Sequence, residues 1–160
     1  MIQRIQSVYL ILVALAGILM YFFPVVSLVP SGAEAEPVIY HLSALKVETL
    51  LNGSSSLLMR YWPMVLLNAL VIAFAALVVM QYKNRKKQIT YTHMLLLLVL
   101  AQIVMIIYDV DLLLKVAGGA HMISYNAFSI LPLLQILFTR LATSAIKKDE
   151  DLVRSADRLR

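Results

Sequence analysis

Four nearly unbroken apolar stretches decide what this chain can fold into. They cover about residues 7–29, 61–82, 94–114 and 123–146. Each is about 20 residues or longer, and at about 1.5 Å of rise per residue such a helix covers about 30 Å, the thickness of a bilayer's hydrocarbon core. Lipid offers no partners to backbone N–H and C=O groups, so a spanning segment is either a helix or a strand of a closed barrel. The stretches lack the strict alternation of barrel strands. The expectation is an all-α membrane protein, a single membrane domain over residues 1–160 built as a four-transmembrane-helix bundle. The first stretch is longer than the about 7–15 apolar residues of a signal peptide, so it reads as a retained span.

Composition supports this. Of the 160 residues, 61% are hydrophobic and 14% charged, against about 45–50% and about 25% in soluble domains. A soluble chain of this size has too little interior to hide that excess. The absence of cysteine removes disulfides, thiolate metal sites and cysteine nucleophiles. The net charge of +5 sits at the ends of the spans, which leaves nucleic-acid binding without support.

Lys and Arg in short loops set orientation, because the positive side stays in the cytoplasm. Eleven of the fourteen fall on one side: Arg4, then Lys83, Arg85, Lys86 and Lys87, then Arg140 and the basic residues of the C-terminal tail. Lys46, Arg60 and Lys115 fall on the other. Both termini are therefore expected inside, an N-in/C-in topology. The outer loop, residues 30–60, contains the alternating Leu45-Lys46-Val47-Glu48 and the turn dipeptide Asn52-Gly53, and reads as a short hairpin or a short interfacial helix. Ala117-Gly118-Gly119-Ala120 suits a tight turn between the third and fourth spans.

Polar side chains inside a span are costly, and each is a functional candidate by default. Gln102 and Gln135 lie at similar depth in the third and fourth spans, where an amide-to-amide bond would join two antiparallel neighbours. Asp109 and Asp111 lie near the outer end of the third span; two residues apart, they point to different faces. They read as the interfacial end of the helix, or as an ion or proton site together with Asn126, Tyr108 or His121. Asn68 is placed to bond across the bundle, and Pro132 would bend the fourth span. Ala14 with Gly17, and Ala73 with Ala76, permit close helix packing. No catalytic, cofactor or metal constellation is visible.

The tail, residues 147–160, carries opposite charges at helical spacing (Lys147 with Asp151, Glu150 with Arg154, Asp157 with Arg160) and a thin apolar stripe of Leu152, Val153, Ala156 and Leu159. It reads as a cytoplasmic amphipathic continuation of the fourth helix. The opening Met1-Ile2-Gln3-Arg4-Ile5-Gln6-Ser7, the loop Tyr82-Lys83-Asn84-Arg85-Lys86, Leu131-Pro132 and the close Ile146-Lys147-Lys148-Asp149-Glu150 through Arg160 together resemble the DUF4293 family of uncharacterised small bacterial four-helix integral membrane proteins. The resemblance spans the chain. It implies four helices in a bacterial inner membrane, and it carries over no activity.

Since the most distinctive residues lie at the cytoplasmic ends, that face is the expected working surface. Its candidate interaction residues are Gln3, Arg4, Gln6, Asp149, Glu150, Asp151, Arg154, Asp157 and Arg158, with Gln3, Arg4 and Gln6 pairing with Asp149, Glu150 or Asp151. The expected function is a non-catalytic accessory or scaffold subunit of an inner-membrane assembly, in contact with membrane lipid and a protein partner. The alternative is a small oligomeric transporter or channel centred on Asp109.

Overall fold

A computed structural model describes residues 3–30, 38–41, 44–48, 55–59, 62–82, 84–117 and 121–158. It is mostly helical. Helices α1 (Gln3–Phe22), α2 (Trp62–Met80), α3 (Arg85–Ala117) and α4 (Leu131–Arg158) are each long and apolar enough to cross a membrane. They pack in a ring in which each helix touches the next and α4 closes on α1. Gln6 of α1 meets Ala145 and Asp149 of α4, so both chain ends lie at one end of the bundle.

The inner face of every helix repeats at alternating steps of three and four residues. In α3 it is Gln88, Thr92, Leu95, Val99, Gln102, Ile106, Asp109 and Leu113, all buried. The matching seams are Gln6, Leu10, Val13, Gly17 and Met20 in α1, Met64, Asn68, Val71, Ala75 and Val78 in α2, and Gln135, Thr139, Ala142, Ile146 and Asp149 in α4. This spacing keeps one stripe facing its neighbours in left-handed bundles. The opposite faces present Leu66, Leu97, Val104 and Ile107, all well exposed, as lipid would require. Ala73 and Ala76 also face outward, so the close-packing stripe expected in the second span is absent there.

The chain is not all-α. Among the described residues, five strands, β1 (Val26–Pro30), β2 (Val38–His41), β3 (Ala44–Glu48), β4 (Ser55–Met59) and β5 (His121–Tyr125), form one antiparallel sheet in the order β4-β3-β2-β1-β5. The first expected span included residues that belong to β1. Pro24 disfavours helix at the residue before it, and β-branched Val25 and Val26 follow, so α1 stops at Phe22. The fourth expected span likewise absorbed β5, which pairs with β1 from Val26↔Tyr125 to Pro30↔His121. A 3-10 turn at Ala127–Ile130 then leads into α4. Pro132 therefore sits in the first turn of α4, where no N–H is needed, and it bends nothing.

Within β1, Val26 and Leu28 are buried while Val29 is exposed. The inward pair joins Met20, Met64, Ile106, Leu113 and Leu131 in one apolar cluster, so the sheet closes the end of the bundle away from the termini. Phe23 stacks on Phe128 at 4.0 Å, and Asn126 Nδ2 donates to Ser27 Oγ at 2.9 Å, fixing the entry to α4 against the exit from α1. Asn52-Gly53 and Gly118–Ala120 lie outside the described residues.

Candidate functional site

Among the described residues, most buried polar side chains of the spans fall into two groups, with Asp109 apart from both. The first is a layer in mid-bundle with a member from each helix. Gly17 lets α1 come close: a Cβ there would stand 2.8 Å from Ile72 Cγ1 and 3.2 Å from both Asn68 Oδ1 and Gln135 Nε2. Asn68 Nδ2 uses this proximity to donate to the Gly17 carbonyl at 2.9 Å. Gln102 Nε2 donates to Asn68 Oδ1 at 3.3 Å and lies 3.3 Å from Met20 Sδ, a weak acceptor. Gln135 Nε2 donates to the Val13 carbonyl at 3.3 Å. The expected bond between Gln102 and Gln135 is not made. Each amide crosses to α1 or α2 instead, and both Oε1 atoms are buried without a hydrogen bond. Thr139 and Thr143 return their hydroxyls to the carbonyls four residues back, so they neutralise themselves within α4.

The second group lies at the end that holds the termini. Asp149 is buried and accepts a hydrogen bond from Gln6 Nε2, and its backbone carbonyl accepts one from Arg85 Nη1 at 2.8 Å. Gln6 also reaches the Ala145 carbonyl at 3.3 Å. Nearby, Asn84 Oδ1 accepts from the Lys87 N–H at 3.3 Å and so caps α3, while Gln88 Nε2 donates to the Val78 carbonyl at 3.2 Å in the last turn of α2. One latch therefore ties α1, α3 and α4, and a cap ties α3 to α2.

Of the terminal residues expected at a working surface, Gln6 and Asp149 meet, Glu150 is half-buried and Asp151 is exposed. The side chains of Gln3, Arg4, Arg154, Asp157 and Arg158 lie outside the described residues. At the other end, Asp109 is buried whereas Asp111 is exposed and pairs with Lys115 at 2.6 Å, one helical turn on. Tyr108 faces outward, Asn126 Nδ2 donates to Ser27 Oγ and the Pro24 carbonyl, and the side chain of His121 lies outside the described residues. Asp109 and Asp149 stand near opposite ends of the bundle, on the order of 30 Å apart by helix rise. They form no carboxylate pair.

An apolar groove of about 460 Å³ opens between α3 and the start of α4, lined by Ile103, Ile107, Tyr125, Ile130 and Leu133 among others.

A family model for DUF4293, a domain of unknown function, matches residues 2–159. The chain belongs to the DUF4293 family. No curated protein matches it. The amide layer exchanges hydrogen bonds in the buried interior of the bundle, and the Gln6–Asp149 latch holds a carboxylate where α4 leaves the bundle.

Proposed function

We propose that this DUF4293 protein is a non-catalytic accessory or scaffold subunit of a bacterial inner-membrane assembly. In this reading its four helices cross the membrane with both termini in the cytoplasm, and it meets a protein partner through that face. The observation that carries it is α4. The helix runs unbroken to Arg158, past the latch at Asp149, and its Leu152 and Val153 are about half exposed. Apolar side chains presented just beyond an anchored root suit helix-in-groove recognition. Exposed Lys87, Lys147 and Lys148 on the same end agree with a cytoplasmic placement by the positive-inside rule.

The test is a mild-detergent purification from native membranes of the wild type beside Leu152→Asp/Val153→Asp, a variant that leaves Asp149 untouched. A stoichiometric partner lost from the variant supports the reading; the same co-purifying set with both overturns it. Orientation is tested separately. The chain has no cysteine, so Ser155→Cys gives a single label site, expected to react in inverted vesicles and not in intact cells.

A second reading, a small oligomeric transporter or channel, is favoured by Asp109, a buried carboxylate within an apolar span. Loss of proton-coupled flux on Asp109→Asn, with folding intact, would favour it over the first.

A further inference from the structure

The mid-bundle layer is sealed on both sides. Toward the termini, Leu10, Val71, Ala75, Leu95, Val99 and Ala142 form one apolar cluster. Toward the sheet, Met20, Met64, Ile106, Leu113 and Leu131 form another. Between the two clusters lie Asn68 on α2, Gln102 on α3 and Gln135 with Thr139 on α4, and Gly17 of α1 packs against Asn68 and Gln135. Asn68, Gln102 and Gln135 have no exposed surface at all.

Into this closed layer project two acceptors that the protein leaves unbonded, Gln102 Oε1 and Gln135 Oε1. A buried polar atom without a partner costs about 1–3 kcal/mol, and inside a membrane no lipid chain can supply the missing donor. Their own nitrogens are engaged, by Asn68 Oδ1 and Met20 Sδ for Gln102 and by the Val13 carbonyl for Gln135. Turning either amide over would aim an oxygen at those acceptors, so rotation offers no relief. The hydroxyls of Thr139 and Thr143 are also spent, on the carbonyls of Gln135 and Thr139.

We infer that the amide layer is a binding site for one small hydrogen-bond donor, held jointly by Gln102 Oε1 and Gln135 Oε1. Both recognising atoms are neutral acceptors, so the guest donates at least two hydrogen bonds and is small enough for a layer one side chain deep. Water and the ammonium ion share that chemistry. A buried water needs 2–4 polar partners, and the two oxygens meet the minimum. Because apolar layers lie above and below, the guest exchanges only when the helices part, so it stays far longer than a surface water.

The test uses the full-length protein with ¹⁵N-labelled glutamine in lipid nanodiscs, reading magnetisation transfer from water to the side-chain amides. The expected result is a persistent water contact at both Gln102 and Gln135, retained in Thr139→Val, which excludes relay through that hydroxyl. Gln102→Met should abolish the contact at Gln135, and Gln135→Met the contact at Gln102. Replacing sodium chloride with ammonium chloride at equal concentration separates the two sources. Saturable loss of the water contact, with ammonium contacts in its place, identifies ammonium; an unchanged spectrum identifies water. Folded wild-type protein with no water or ammonium contact at either amide overturns the inference, as does a contact that survives at one amide after the other is replaced. Should the methionine variants fail to fold, the wild-type spectrum still decides.

Discussion

The amide layer and the Gln6–Asp149 latch use much the same side-chain chemistry at two depths, with opposite results. At the latch a carboxylate oxygen takes the amide proton of Gln6, and Arg85 takes the neighbouring carbonyl. In the layer three amides share neutral acceptors and leave two oxygens over. Depth explains the difference. Asp149 is buried but stands at the end of the bundle, next in the chain to the exposed Lys148, whereas in mid-membrane a charge costs about 3 kcal/mol on the insertion scale, so neutral amides are what the interior tolerates. Replacing a residue should therefore be felt through packing in the layer and through pairing at the latch.

The largest effect is expected at Gly17. An alanine Cβ would lie 2.8 Å from Ile72 Cγ1 and would crowd both Asn68 and Gln135. Overpacking of this kind costs about 1–3 kcal/mol. Gly17→Ala should lower the unfolding temperature in detergent more than any single change at the latch. Equal stability of Gly17→Ala and wild type would show that α1 and α2 can separate freely and would remove the premise of a tight layer.

Next is Asn68→Leu. It removes the donor to the Gly17 carbonyl and the acceptor for Gln102 together. Interhelical hydrogen bonds in membranes average about 0.6 kcal/mol and reach about 1.7. With one bond lost and the Gln102 amide left with only Met20 Sδ, a cost of about 1–2 kcal/mol is expected, measured as unfolding in mixed micelles. A stabilised Asn68→Leu would mean that the layer is held by apolar contact alone.

At the latch the informative experiment is a double-mutant cycle of Gln6→Leu with Asp149→Leu. Removing either partner should cost somewhat more than removing both, with a coupling of about 0.5–1.5 kcal/mol for a buried hydrogen bond at the end of the bundle. Additive single effects would show that the two side chains are neighbours without being partners. Repeating the cycle with Asn68 and Gln102 carries the comparison between depths to a number.

How much of this was legible in the sequence differs by feature. Apolar length located all four spans, because the bilayer dictates it. It did not locate helix ends, since apolarity marks where lipid is and not where a helix stops. Residues 26–29 and 123–125 are largely apolar strand residues adjoining the spans, and so they passed for helix. Pro24 and Pro132 were signals of the true ends, one just past α1 and one just inside α4. Asn84 was a third, since it caps an α3 that begins well before its apolar stretch. The bundle's inner face was also written in the chain, though not in its hydrophobic pattern, because lipid-facing and core-facing positions are equally apolar. The polar residues carry it: Gln88, Gln102 and Asp109 fall on one seven-residue repeat through Leu95, and Gln135 and Asp149 on another through Ala142. What no spacing revealed is which amide meets which, because the sequence does not say how close Gly17 lets α1 approach.

The smallest effect on stability is expected beyond the latch. Leu152 and Val153 are about half exposed and lie outside both apolar clusters. Exposed substitutions of this kind usually stay within about 0.5 kcal/mol, so Leu152→Asp/Val153→Asp should unfold with the wild type while Asp149→Leu does not. This contrast separates two roles along a single helix. Up to Asp149, α4 is part of the bundle, and its side chains answer to α1 and α3. Past it, an apolar pair is maintained on a helix that gains nothing from it in the isolated chain. If the variant is as stable as wild type yet loses its partner, the last turns of α4 exist for recognition. If instead it unfolds more readily, those turns belong to the bundle, and the proposal that they dock another protein loses its main support.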